Sequence, residues 1–184
     1  MSSRDFDPCR LDVAAFAKAG GELEGRWGLQ DFDRLTESAM ADALAADASE
    51  VAWRARGESR AIRGGEAQAW LHIGAATRVP LECQRCLKAV DVQLSVERSF
   101  LFVHGEDAAA QLDTDSEDDV LALTRALDLR ELIEDELLLA LPIVPRHEVC
   151  PVPLVAPAGE DDLIEEKPNP FAALASLKRS GPPN

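Results

Sequence analysis

Residues 90–102 read VDVQLSVERSFLF. Val90, Val92, Leu94, Val96, Phe100 and Phe102 share one parity, and Arg98 is the only polar residue among them. Asp91, Gln93, Ser95 and Glu97 hold the other parity. Successive side chains of a strand point to opposite faces, so this alternation predicts a strand with one buried and one wet face. Strands of that kind belong to antiparallel sheets, since parallel sheets are buried on both faces.

The same period recurs upstream. In VAWRARG (51–57), Val51, Trp53 and Ala55 alternate with other residues. In AQAWLHIGAATRVPLEC (67–83), Ala69, Leu71, Ile73 and Ala75 do so again. The segment between Gly57 and Gly65 reads as a hairpin connection. GELEGRWGLQ (21–30) puts Leu23, Trp27 and Leu29 on one side of an extended segment. A sheet of three or more strands follows.

Three segments change to helical period. Val13 to Ala19 is bounded by Asp12, a capping residue, and by Gly20 and Gly21. In DRLTESAMADALAA (33–46), Leu35, Ala39, Ala43 and Ala46 recur at helical spacing beside Met40 and Leu44, with Asp33 as N-cap. In DLRELIEDELLLAL (128–141), Asp128 and Glu131 have capping-box spacing. Leu129, Leu132, Ile133, Leu137, Ala140 and Leu141 form its apolar face, Glu131, Glu134 and Asp135 the opposite one, and Pro142 stops it. The expected class is α+β: an antiparallel sheet, or a partly open barrel-like sheet, covered by a helix. From His104 to Glu136 there are twelve acidic residues and two arginines. The first half of that run, near 104–119, has little to bury and reads as a mobile acidic loop, and DVLAL (119–123) as a short edge strand.

Residues 1–154 are expected to form one domain. Residues 155–184 then carry a linker rich in proline and acid, and a short amphipathic helix in NPFAALASLKRS (169–180) on a flexible tail. Asn169 and Pro170 start that helix. Phe171, Leu174 and Leu177 lie to one side, and Lys178 and Arg179 sit at its C-terminal end. This segment reads either as a docking element or as a helix folded back on its own domain.

The chain carries 19 basic and 34 acidic side chains, a net charge of -15. Non-specific nucleic-acid binding draws on phosphate neutralisation, for which this balance is poorly suited, while a basic protein partner fits it better. Arg78, Arg85, Lys88 and Arg98, near the cysteine turn, are the candidates for a local RNA contact, against a bland reading as scattered surface charge. The opening MSSRDFDPCRLDVAAFAKAG lacks a basic region followed by an apolar run, and no stretch nears the roughly 20 apolar residues that span a bilayer. The expectation is a cytoplasmic chain without a membrane segment.

PLECQRCLKAV (80–90) places Cys83 and Cys86 three positions apart, and PRHEVC (145–150) repeats that spacing with His147 and Cys150. Thiolate and imidazole are the donors of structural zinc sites, and four protein ligands would close the coordination shell. Three readings stay open: a structural metal site, partly buried plain thiols, or a redox pair at Cys83 and Cys86. Cys9 has no nearby companion. The histidines His72 and His104 carry no local motif, and no serine, histidine and aspartate signature or phosphate-binding glycine loop is present.

Taken in order, CQRCLKAV, the acidic stretch, LRELIEDELLLALPIVPRH with Cys150, and KPNPFAALASLKRS resemble the bacterial large ribosomal RNA subunit accumulation protein family, YceD. The similarity is strongest over 81–184; LEGRWGLQDFDRL and the early strands match in outline. The resemblance implies a cytoplasmic, non-catalytic ribosome biogenesis factor supporting synthesis, processing or stability of 23S ribosomal RNA. Its partner would be a basic ribosomal protein or a large-subunit assembly factor. A metal- or thiol-responsive module and an RNA-processing enzyme are the competing classes.

Overall fold

A computed structural model describes residues 6–44 and 49–151. Met1–Cys150 form one compact unit. Its centre is a five-stranded open sheet in the order β1-β2-β3-β4-β5. The strands are β1 (Glu22–Gly28), β2 (Glu50–Arg60), β3 (Gln68–Glu82), β4 (Ala89–Val103) and β5 (Asp119–Ala122). The first three pairings are antiparallel, and β5 runs parallel to β4. The sheet is open and does not close into a barrel.

The alternation seen in the sequence is the pleat of this sheet. In β3, Leu71, Ile73, Ala75, Val79 and Leu81 are buried, and in β4 so are Leu94, Val96, Phe100 and Phe102. They share one face with Val51, Trp53 and Ala55 of β2. Three helical elements cover that face. They are α1 (Val13–Ala19, through Val13 and Phe16), α2 (Asp33–Glu37, through Leu35) and α5 (Leu129–Leu139, through Leu129, Ile133 and Leu137). Asp12 caps α1 by accepting from the Ala15 amide at 3.0 Å, and Gly20 ends it at φ 59°. Asp128 caps α5 by accepting from the amides of Arg130 and Glu131 at 2.9 and 3.3 Å.

Five expectations are corrected. The helix expected over 33–46 is two pieces, α2 and α3 (Ala41–Leu44), and Ala46 lies outside the described residues. The break comes where the Met40 amide leaves the helix to donate to Pro80 O of β3 at 2.8 Å. The N-cap is Phe32, one residue before Asp33. The first turn is held instead by Glu134 of α5, whose Oε1 accepts from the amides of Arg34 (2.8 Å) and Leu35 (3.1 Å). Glu134 is therefore buried, at 8 % exposure, and does not belong to a solvated face.

The acidic segment is also not a plain loop. Residues Glu106–Asp115 form α4, the crossover that parallel strands β4 and β5 require. Ala109 packs with Trp70, Leu101 and Val120 on the second face of the sheet, a small core of its own. Glu106 and Asp107 stand in the first turn, where negative charge suits the helix dipole. Asp113 accepts from the Val120 amide at 3.0 Å and ties the helix to the edge strand. Finally, β2 continues through Gly57 to Arg60, so the connection to β3 is shorter than expected. The segment carrying Phe171, Leu174, Leu177, Lys178 and Arg179 lies outside the described residues.

Glycine at 57 is set by the close passage of α1: a Cβ there would stand 2.8 Å from backbone atoms of Phe16 and Ala17. Gly74 is different, since a Cβ would meet only the ends of the Glu97 and Arg54 side chains, at 2.9–3.1 Å. Gly57→Ala is expected to lower unfolding free energy by about 1–3 kcal/mol, because backbone cannot yield. Gly74→Ala is expected to cost under about 1 kcal/mol, since β-propensity offsets a side-chain shift. Urea titration of both variants checks the contrast.

Candidate metal centre and the open sheet face

The β3–β4 turn is a knuckle. The Cys83 amide donates to Lys88 O at 2.9 Å, and the Leu87 amide donates to Cys83 O at 2.8 Å. Leu87 takes φ 58°, the left-handed conformation that closes so tight a turn. Residues 140–150, after α5, then cross the knuckle as a strap. The Gln84 amide donates to Pro145 O at 2.9 Å, and the His147 amide to Cys83 Sγ at 3.5 Å.

These bonds bring both clips together. The ligand atoms of Cys83, Cys86, His147 and Cys150 all lie within 4.8 Å of one another. Cys86 Sγ and His147 Nδ1 are 3.5 Å apart. Tetrahedral zinc with bonds of about 2.0–2.3 Å sets its ligand atoms about 3.4–3.8 Å from each other, so the cluster needs only a small contraction. The three-cysteine, one-histidine donor set is that of a closed structural site. Cys83 is fully buried and the other three are half-buried.

The electrostatics suit a thiolate at Cys83. Burial pushes the Cys83 thiol up, but the amides of His147, Arg85 and Cys86 and the His147 side chain outweigh it and bring it to about 5. Burial raises Cys86, and its neighbours Cys150 and Cys83 raise it further. Arg85 completes the arrangement. Its Nε donates to Cys150 Sγ at 3.0 Å, and one Nη donates to the carbonyls of His147 (2.9 Å) and Glu148 (3.2 Å). One guanidinium thus clamps the strap to the knuckle through a sulfur and two carbonyls. Arg85, a candidate RNA contact or plain surface charge in the sequence, is committed here to Cys150, 65 positions away. Arg98 is likewise committed, donating to the buried Glu136 of α5 at 2.9 Å. It lies on the helix-covered face and Arg78 on the other, so Arg78, Arg85, Lys88 and Arg98 do not form one patch. Cys9 sits in an N-terminal 3₁₀ turn, outside the cluster.

A second polar constellation spans the open face. His72 Nδ1 lies 2.7 Å from Ser99 Oγ, and His72 Nε2 lies 2.9 Å from Glu58 Oε2. Arg60 donates twice to Glu58, at 2.9 and 3.2 Å, and stacks over the Trp70 ring at 4.2 Å. An ionised Glu58 only accepts, so His72 donates from Nε2, and the Nε2–H tautomer accepts a hydrogen bond from the Ser99 hydroxyl at Nδ1. No sequence motif marks this row, because its three members come from three strands and meet only through the register. Beside it a shallow cavity of about 720 Å³ is lined by Arg54, Arg56, His72, Glu97 and Ser99 among others.

The sequence model of the large ribosomal RNA subunit accumulation protein YceD family matches residues 71–178, more than half of the chain. The chain belongs to the YceD family. The match to YceD begins inside β3 and takes in the knuckle, α4, α5 and all four cluster residues. A curated YceD relative, the large ribosomal RNA subunit accumulation protein of Haemophilus influenzae, is 39 % identical over 106 residues, covering 55 % of this chain and 60 % of the relative. The chain thus matches less than two thirds of that relative's length. No solved structure matches. No helix among the described residues is long and apolar enough to cross a membrane.

The Glu58 network has a titration signature. Hydrogen bonds from Arg60, then from His72, hold its carboxyl down at about 2, against an ordinary 4.5. A depressed carboxylate stabilises the fold above its ordinary value and loses that contribution as pH falls through the folded one. Carbonyl-detected NMR should show Glu58 titrating near 2, with the midpoint rising toward 4.5 in Arg60→Ala. An unshifted midpoint in the native chain would remove the network.

Proposed function

We propose that this chain is a non-catalytic ribosome biogenesis factor that supports accumulation of 23S ribosomal RNA in the cytoplasm. The observation that carries the reading is the family match over residues 71–178, together with the name of the Haemophilus influenzae relative. The net charge of -15 favours a basic ribosomal protein or a large-subunit assembly factor as the direct partner. The strap offers such a partner apolar contacts, since Ile143 and Val149 are 99 % and 84 % exposed. Phe171, Leu174, Leu177, Lys178 and Arg179 supply a second docking element in this reading.

Depletion of the protein is expected to lower the ratio of 23S to 16S ribosomal RNA, with altered precursor ends, and the wild-type chain should restore both. A chain truncated after Pro168 should fold but fail to restore them. An unchanged ratio with unchanged ends would sink the proposal.

Cys83, Cys86, His147 and Cys150 would hold structural zinc, which ties the strap to the knuckle and supplies no open coordination position. The supporting observation is the convergence of four donors within 4.8 Å. Protein purified under reducing, chelator-free conditions should contain one zinc per chain by elemental analysis. Cys83→Ala should lose it together with at least about 2 kcal/mol of stability, since metal binding energy is folding energy. Metal-free protein whose stability is indifferent to zinc would restore the plain-thiol reading.

A further inference from the structure

Strand β1 is one edge of the sheet, and among the described residues it pairs with no strand but β2. At the ends of its pairing with β2, the Gly57 amide donates to Gly21 O and the Leu29 amide to Ser49 O, both at 2.9 Å. With the register Leu23↔Ala55, Gly25↔Trp53 and Trp27↔Val51, these bonds assign the odd-numbered residues of β1 to the ladder with β2. Glu22, Glu24 and Arg26 therefore turn their amides and carbonyls away from the sheet. No hydrogen bond from the described residues reaches those groups, whereas the Gly28 amide is taken by Asp31 at 3.1 Å.

Such an edge is a template for another strand, and proteins guard edges with proline, bulges or repelling charge. The sequence ELEGRWG has no proline. Two of its three charges, Glu24 and Arg26, are of opposite sign and stand on either side of Gly25, with Leu23 and Trp27 beyond them; Glu22 is placed opposite Gly28. We infer that β1 pairs antiparallel with β1 of a second copy, about a two-fold axis at Gly25, and so joins two five-stranded sheets into one.

The register follows from charge. Centred on Gly25, Glu24 faces Arg26 of the second copy, twice by symmetry, in hydrogen-bonded pairs that use the free backbone groups. Leu23 faces Trp27 of the second copy on the helix-covered side, where both side chains are only half-buried in one chain. Centring on Glu24 would oppose two carboxylates, and centring on Arg26 two guanidinium groups, and like charges directly opposite repel. Glu24 makes no ion pair among the described residues. Arg26 holds Glu50 through Nη1 at 3.1 Å, which leaves the rest of its fork for the second copy. Gly25 suits the axis for two reasons. A Cβ there would meet the Trp53 indole at 2.9 Å, and without one the facing strands approach freely at the centre.

Sedimentation equilibrium of the full chain at micromolar concentrations is expected to give twice the monomer mass of 19.9 kDa. Glu24→Arg and Arg26→Glu should each raise the dimer dissociation constant by about tenfold, because each change acts on both sides of the axis. The double variant Glu24→Arg/Arg26→Glu should recover wild-type affinity, which a structural defect would not do. Glu24→Pro removes only an outward amide, so it should abolish the dimer with the far-ultraviolet circular dichroism unchanged. A monomeric wild type, or single variants that dimerise as tightly as wild type, would overturn the inference. So would β1 amides protected from hydrogen exchange only when a lysine-rich peptide is added, which would give the edge to a basic partner instead.

Discussion

Everything in this molecule is hung on one register, the pairing of β3 with β4. It runs from Ala69↔Phe102 at one end to Glu82↔Ala89 at the other. A slip of one residue would turn Leu94, Val96, Phe100 and Phe102 from the core to water. The same register puts the cysteine knuckle at one end of the hairpin and delivers the chain into α4 at the other. It also sets His72 opposite Ser99, while the β2–β3 register brings Glu58 beside Trp70.

Around that hairpin, buried charge does the joining that apolar packing alone leaves unspecified. Glu134 ties α5 to α2 through two amides and the Arg34 guanidinium. Glu136, two residues on, ties α5 to β4 through Arg98. Both carboxylates are 8 % exposed and both are partnered, as desolvated charge requires. Together they fix the direction in which α5 leaves the sheet, and hence where the strap falls. The knuckle receives the strap through the Gln84–Pro145 bond and the Arg85 clamp, so the four donors meet as a consequence of helix placement.

The pleat, α1 and α5 were legible in the sequence because their signals are local. Val13–Ala19 has its cap and its glycines beside it, and Leu129, Ile133 and Leu137 repeat at the period of their own helix. The acidic stretch and the second helix misled for opposite reasons. Glu106–Asp115 has only Ala109 to bury, and the Trp70, Leu101 and Val120 surface that receives it is assembled from three strands. Residues 33–44 have a continuous helical pattern, yet the Met40 amide finds a partner on β3 and the helix breaks there. Arg98, the one interruption in the alternation of 90–102, turns out to lie on the covered face for the sake of Glu136.

The sequence by itself determined the α+β class, the half-buried strands, the capped helices, the two candidate clips Cys83–Cys86 and His147–Cys150, and the order of landmarks that marks the family. Each depends on residues a few positions apart, where backbone geometry alone decides which side chains share a face. Only the tertiary structure decided that the two clips meet, that Arg85 closes them, that Glu58, His72 and Ser99 form a row, and that β1 is left with an open edge. Those arrangements join residues that are remote along the chain. Their approach depends on strand order and on the exit angle of α5, which are set by packing over the whole sheet.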